Sequence, residues 1–197
     1  MILGYHFIFS AYGFWLPNDP RGSWSKVVRE YEIACFGPAT KVTATCSVAA
    51  APHDHSQRLA AKKALRYSPV RFSGLQARII ANGFTIACEE GTYRALAFAM
   101  MPDHAHLLVE RHQRHVDQIA SHLKAKATKA LNDADLNPMS RHVSAAGRVP
   151  SPWGRKYWCP FIDNARYMKT AIEYINDNPL KSGLKAQKWS FVKPYRG

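Results

Sequence analysis

Two histidines separated by one residue, His104 and His106, are the side chains of this sequence best placed to do chemistry. They follow Pro102-Asp103, a pair typical of a turn, and they begin an apolar run typical of a buried strand. Side chains two residues apart on a strand point to the same face, so the two imidazoles are expected to lie side by side. Such a pair can form half of a metal site, and the alternative is a purely structural pair.

A second pair with the same spacing, His53 and His55, lies in a polar segment that follows a proline and precedes a helical pattern. Aspartate and serine are preferred at helix N-caps, and Asp54 and Ser56 are both available there. The sequence therefore favours the start of a helix over a pair of ligands at this position.

The charge of the chain is strongly unbalanced. Its 197 residues include 27 lysines and arginines but 14 aspartates and glutamates, a formal net charge of +13. This favours a polyanionic partner, either a nucleic acid or an anionic membrane surface. No run of 18 apolar residues occurs, so no membrane-spanning helix is expected. The four cysteines are widely spaced without a Cys-x-x-Cys motif, which predicts free thiols in a reducing cytoplasm.

The elements that must position the histidines alternate between strands and helices. The patterns predict strands at 2–12, 95–101, 104–109 and 157–162, and helices at 56–66, 73–90, 116–131 and 165–177, the last ending before Pro179. This order predicts an α+β fold, with an antiparallel sheet and helices on one face. We expect a single domain over 1–197, with an insertion at 19–55 and a mobile loop at 132–152.

Three segments carry a resemblance to a known family. Met101–Val109 resembles the His-hydrophobic-His motif of the single-tyrosine HUH transposases, most closely the REP-associated tyrosine transposases. Glu173–Leu184 is similar to the Tyr-Ile-x-x-Asn-Pro-x-x-x-Gly-Leu segment of that family, and Trp153–Trp158 resembles the tryptophan-containing strand before it. The resemblance implies a ferredoxin-like fold, with the histidines on a central strand and a catalytic tyrosine on a helix.

The resemblance also implies a DNA strand cleavage that depends on Mg²⁺ or Mn²⁺. Tyr174 would be the nucleophile, and the amide oxygen of Asn178, one helical turn later, would join His104 and His106 as a ligand. Tyr167, two turns earlier on nearly the same face, is the alternative nucleophile. In-line attack would give a 5′-phosphotyrosine and a free 3′-OH, so the reaction would be strand transfer rather than hydrolysis.

The function expected is therefore that of a transposase or DNA nickase acting on single-stranded, hairpin-forming DNA. The alternatives are a non-catalytic DNA-hairpin-binding protein of the same fold and a metal-dependent phosphodiesterase without a covalent step. Both a monomer and a homodimer remain open. Five basic residues are expected to contact phosphates, although a solvated face is the alternative for the three on the 116–131 helix: Lys124, Lys126, Lys129, Arg155 and Lys156.

Overall fold

The computed structural model describes residues 1–17, 19, 28, 31–38 and 52–197. Its elements are β1 (Gly4–Ser10), α1 (Tyr31–Ala34), α2 (His55–Lys63), α3 (Gly74–Gly91), β2 (Ala95–Met100), β3 (His104–Glu110), α4 (Val116–Asp133), β4 (Phe161–Ile162) and α5 (Ala165–Lys181). The strands form one antiparallel sheet in the order β2-β3-β1-β4. This order, with α3 and α4 as the connections, is ferredoxin-like and confirms the predicted α+β class. The expected insertion at 19–55 lies largely outside the described residues.

The two central strands, β1 and β3, divide their side chains between the two faces of the sheet. Phe7 and Phe9 point to one face, where their rings stack with centroids 5.6 Å apart. There they pack in the main core with apolar residues of α3 and α4, including Phe84 and Leu123. Alternation along a strand sends the intervening residues, including His6, to the other face.

The contact between α3 and α4 depends on a glycine in the middle of α3. A Cβ atom at Gly83 would lie 2.6 Å from the Cα atom of Ala127 in α4, closer than two such atoms can approach. Gly83 therefore allows the two helices to pack at short range, which offsets the low helix propensity of glycine. The N-terminus of α3 is fixed by a capping box between Ser73 and Gln76.

The helices are not all on one face, which corrects one detail of the prediction. The helices α3 and α4 share a face, but Met168, Ala171 and Ile175 of α5 pack on the opposite face. The reason is that this second face is also apolar, through residues such as Leu108 and Ala99, and α5 removes it from water. The same face carries the histidines of β3, which lie on a central strand as predicted.

The two corrections to element boundaries both involve a proline. α5 was expected to end before Pro179 but continues to Lys181, and the amide of Ser182 donates to the carbonyl of Asn178 at 3.2 Å. Pro179 is buried, so packing outweighs the steric bias against helix at the preceding residue. The strand predicted at 157–162 is reduced to β4 and an isolated bridge at Trp158, because Pro160 between them lacks an N–H group.

Two other sequence-based expectations have a direct counterpart. Asp54 is the N-cap of α2 and accepts a hydrogen bond from the amide of Gln57 at 2.9 Å, so the His53–His55 segment begins a helix as predicted. Cys35, Cys88 and Cys159 are free thiols, and Cys46 lies outside the described residues. Within the described ranges, none of the helices combines the length and apolarity needed to cross a membrane.

Candidate active site

The histidines of β3 are held side by side at the start of the strand. The amide of Met101 donates to the carbonyl of His104 at 2.8 Å and closes the turn that begins β3. From there His104 and His106 project to the α5 face, with their Nε2 atoms 3.0 Å apart. Ala105 between them points the other way and is fully buried in the main core. The predicted pairing of the two imidazoles is therefore present.

The remaining ring nitrogen of each histidine has its own partner. The Nδ1 atom of His104 lies 2.7 Å from a carboxylate oxygen of Asp103, and the Nδ1 atom of His106 lies 3.0 Å from Nε2 of His6 on β1. A carboxylate accepts only, so His104 donates from Nδ1 and keeps a lone pair on Nε2. His106 has two possible tautomers. In one, Nε2 donates to Nε2 of His104 and Nδ1 accepts from His6; in the other, the form that can bind a metal ion, Nδ1 donates to His6 and the two Nε2 lone pairs both face the position of a cation.

Burial keeps the inner histidines neutral. His106 is 3% exposed and His6 is 6% exposed. Burial lowers the pKa of His106 well below its usual value, and the neighbouring His104 and His6 lower it further. Burial also lowers the pKa of His6 to about 4. Neutral imidazole is the form that binds a metal ion, so this environment favours metal binding over protonation.

The donor set fits a divalent cation. Two nitrogens bound to one ion at about 2.1 Å lie about 3 Å apart when the two bonds form a right angle. Among the described residues, no three His, Cys, Asp or Glu side chains could hold an ion together. The expected third ligand is of another type, the amide of Asn178, which is half-buried on α5. Imidazole nitrogens bind Zn²⁺, Co²⁺ or Ni²⁺ more tightly than Mn²⁺ or Mg²⁺, whereas an amide oxygen is a ligand that Mn²⁺ and Mg²⁺ also take.

Tyr174 lies against the histidines from the α5 side. Its ring centroid is 5.7 Å from that of His106 and 6.3 Å from that of His6. Its side chain is 39% exposed, so an incoming strand can reach it. Burial of the rest of the ring raises the pKa of the phenol. Loss of the phenolic proton therefore requires positive charge nearby.

The other candidate tyrosines have different surroundings. Tyr167 is partly buried against the apolar cluster beneath α5. Burial raises the pKa of its phenol, and the negative charge of Asp163 raises it further. Tyr157 packs with Phe7 on the opposite face of the sheet, and its hydroxyl donates to Asp117 at 2.6 Å. Of the three tyrosines considered, Tyr174 is the one in ring contact with the histidines.

The basic residues predicted to contact DNA are not gathered around the histidines. Lys124, Lys126 and Lys129 lie on α4, which packs on the opposite face of the sheet. Each already has a partner: Lys124 donates to the carbonyl of Gly154 at 2.6 Å, Lys126 pairs with Glu90, and Lys129 pairs with Asp133. Burial lowers the pKa of Lys124 to about 8. Arg155 and Lys156 are exposed in the segment that precedes β4.

Two residues of the site were missed in the sequence analysis. Asp103 was interpreted only as a turn residue, although it also holds Nδ1 of His104. His6 was read only as part of a strand. The sequence could have indicated His6, because this histidine is the only ionisable side chain apart from tyrosine in the mainly apolar strand Gly4–Ser10. A polar group buried in such a strand requires a partner, but the sequence does not show which one.

Comparison with known proteins gives one family and a small number of distant structures. A family model described as "Transposase IS200 like" matches residues 70–178, more than half of the chain. A REP-associated tyrosine transposase bound to a REP hairpin is 11% identical, with a TM-score of 0.49 over 93% of this chain and 70% of that one. A transposase candidate of Deinococcus radiodurans is 13% identical, with a TM-score of 0.36 over 94% of each chain. No curated protein matches the sequence.

Proposed function

The chain belongs to the family of IS200-like transposases, and from this premise we propose that it cleaves and rejoins single-stranded DNA through a covalent bond to Tyr174. The observation that supports the proposal is the ring contact of Tyr174 with His106 and His6, beside two Nε2 atoms 3.0 Å apart. The candidate nucleophile and the candidate cation site would thereby be adjacent, which is the arrangement that metal-assisted attack on a phosphate uses.

In the proposed site His104, His106 and Asn178 hold Mg²⁺ or Mn²⁺. When bound, the cation would orient the scissile phosphate and withdraw charge from its non-bridging oxygens. Asp103 and His6 would not bind the ion themselves. Their hydrogen bonds to Nδ1 keep the rings of His104 and His106 turned with Nε2 towards the ion. Such outer partners fix both the tautomer and the orientation of a ligating imidazole.

Tyr174 supplies the covalent step. Its phenolic oxygen forms a bond to phosphorus while the bond from phosphorus to the 3′ oxygen breaks, giving a 5′-phosphotyrosine. The phenolic proton is lost and the departing 3′ oxygen gains one, so the step balances without another reactant. One phosphodiester bond is exchanged for another of similar energy, and a second 3′-OH can therefore reverse the step without ATP.

The proposed substrate is single-stranded DNA next to a hairpin. The net charge of +13 supports a polyanionic partner. Arg155 and Lys156 are the first candidates for phosphate contacts outside the active site because both are exposed. Lys124, Lys126 and Lys129 remain candidates, but each would have to exchange its present partner for a phosphate.

The decisive experiment incubates the protein with Mn²⁺ and an end-labelled oligonucleotide that carries a hairpin and single-stranded flanks. We expect a protein–DNA adduct that survives denaturant, is absent in Tyr174→Phe and persists in Tyr167→Phe, a matched change on the same helix. Binding without any adduct would favour the non-catalytic hairpin-binding protein. Metal-dependent cleavage that survives Tyr174→Phe would favour the phosphodiesterase.

A further inference from the structure

The ammonium group of Lys181 lies over the ring of Tyr174. Its Nζ atom is 6.0 Å from the ring centroid. Lys181 comes seven residues after Tyr174, which places it about 20° away around the helix and about 10 Å further along the axis. Long side chains on a helix lean back towards its N-terminus, so the lysine extends along α5 towards the tyrosine.

This contact exists because α5 does not stop at Pro179. A helix ending at Asn178 would leave Lys181 in a loop without a fixed relation to Tyr174. Instead Pro179 is buried, and the last turn is completed by the hydrogen bond from the amide of Ser182 to the carbonyl of Asn178. Tyr174, Asn178 and Lys181 therefore lie along one narrow stripe of the helix, within about 60° of each other.

We propose that Lys181 binds the scissile phosphate and is a further catalytic residue. The inference rests on the proposed function of Tyr174. A phosphorus atom attacked by the phenolic oxygen must come within about 3.5 Å of it. A lysine whose ammonium already lies over that ring can then reach a non-bridging oxygen of the same phosphate. The histidine site and Lys181 would stabilise the developing negative charge from two directions.

The present partner of Lys181 can be displaced by a phosphate. Its Nζ atom is 3.7 Å from a carboxylate oxygen of Asp177, and the two side chains are 64% and 56% exposed. A charge-assisted hydrogen bond is shorter, at about 2.7–2.9 Å, and exposed ion pairs contribute little. Asp177 thus holds the ammonium near the tyrosine only loosely, and a phosphodiester can replace the carboxylate as its anionic partner.

The test measures the rate of adduct formation in a single turnover at saturating DNA. We expect Lys181→Ala to slow this rate about 100-fold, as the loss of one transition-state donor does. Lys181→Arg keeps the charge and should stay within about 10-fold of the native rate. Lys169→Ala is the matched control, because it removes the same charge from an exposed position of α5 about 140° from Tyr174.

Each outcome has a distinct meaning. A large loss in Lys181→Ala that Lys181→Arg restores, with an unchanged thermal midpoint and an unchanged rate in Lys169→Ala, supports the inference. A native rate in Lys181→Ala overturns it and leaves the role of Tyr174 intact. Equal losses in Lys181→Ala and Lys169→Ala also overturn it, because they would reflect overall charge. If the native protein forms no adduct, the proposed function fails and this inference fails with it.

Discussion

Replacing His6 with phenylalanine tests how the cation site is organised. Phenylalanine is close to histidine in size and keeps an aromatic ring beside Tyr174, but it cannot accept the hydrogen bond from Nδ1 of His106. That bond is 3.0 Å long and buried, with His106 only 3% exposed, so water does not replace the lost acceptor easily. The ring of His106 is then no longer held with Nε2 towards Nε2 of His104.

The size of the effect follows from this loss. Removing the outer hydrogen-bond partner of a ligating histidine lowers metal affinity about 10- to 100-fold, or about 1.4–2.7 kcal/mol. The unpaired donor on His106 also costs about 1–3 kcal/mol in the free energy of unfolding. His6→Gln should fall between the variant and the native protein, because the amide oxygen of glutamine can accept the same bond.

The assay is a calorimetric titration with Mn²⁺, repeated with Co²⁺ to follow the ligand field by visible absorption. Urea unfolding gives the stability of each variant in parallel. An affinity for Mn²⁺ in His6→Phe equal to that of the native protein would refute the reasoning, because His6 would then not orient His106. A lower free energy of unfolding with an unchanged affinity for Mn²⁺ would mean that His6 contributes only to packing of the core.

Three further changes test the helix packing, the buried histidines and the exposed basic residues. Gly83→Ala should lower the free energy of unfolding by about 1–3 kcal/mol, because its Cβ would lie 2.6 Å from the Cα of Ala127. This loss should exceed the gain from the better helix propensity of alanine. A variant that is more stable than the native protein in urea unfolding would contradict this close packing. Without divalent cations, the free energy of unfolding should fall by at least about 2 kcal/mol from pH 7 to pH 5. His6 accounts for about 2 kcal/mol, because its pKa is near 6.5 in the unfolded chain and about 4 in the folded one, and the lowered pKa of buried His106 adds a loss of the same sign. Urea midpoints that do not change over this interval would argue against buried, neutral histidines. The double variant Arg155→Ala, Lys156→Ala should weaken single-stranded DNA binding. If both side chains contact phosphates, the slope of the logarithm of the binding constant against the logarithm of salt concentration should fall in magnitude by about 1.4. A slope equal to that of the native protein in a fluorescence titration would show that neither residue contacts the DNA.

The local parts of the site could be predicted because their signals are short in sequence. His104 and His106 share a strand face by the period of two, and Pro102-Asp103 marks the turn before them. Tyr174 and Asn178 share a helix face by the period of 3.6. Each of these predictions uses a segment of fewer than ten residues and does not depend on tertiary contacts between distant segments.

The parts that could not be predicted depend on long-range packing. His6 is 100 residues from His106 in sequence, and their contact requires the register that pairs Ile8 with His106. The position of α5 on the histidine face depends on the second apolar surface of the sheet, which alternation alone does not reveal. Similarly, the continuation of α5 through Pro179 follows from burial of that proline and not from its local preference.

If α5 carries a phenol to the pair of histidines for covalent attack on DNA, peptide mapping of the protein–DNA adduct will identify the tyrosine that forms the bond. Trypsin cuts after Arg166, Lys169 and Lys181, so Tyr167 and Tyr174 fall in different peptides. After digestion with nuclease, mass spectrometry should find a 5′-nucleotide on the peptide 170–181, with fragment ions that assign it to Tyr174. A nucleotide on the peptide 167–169, or on neither peptide, would contradict the account.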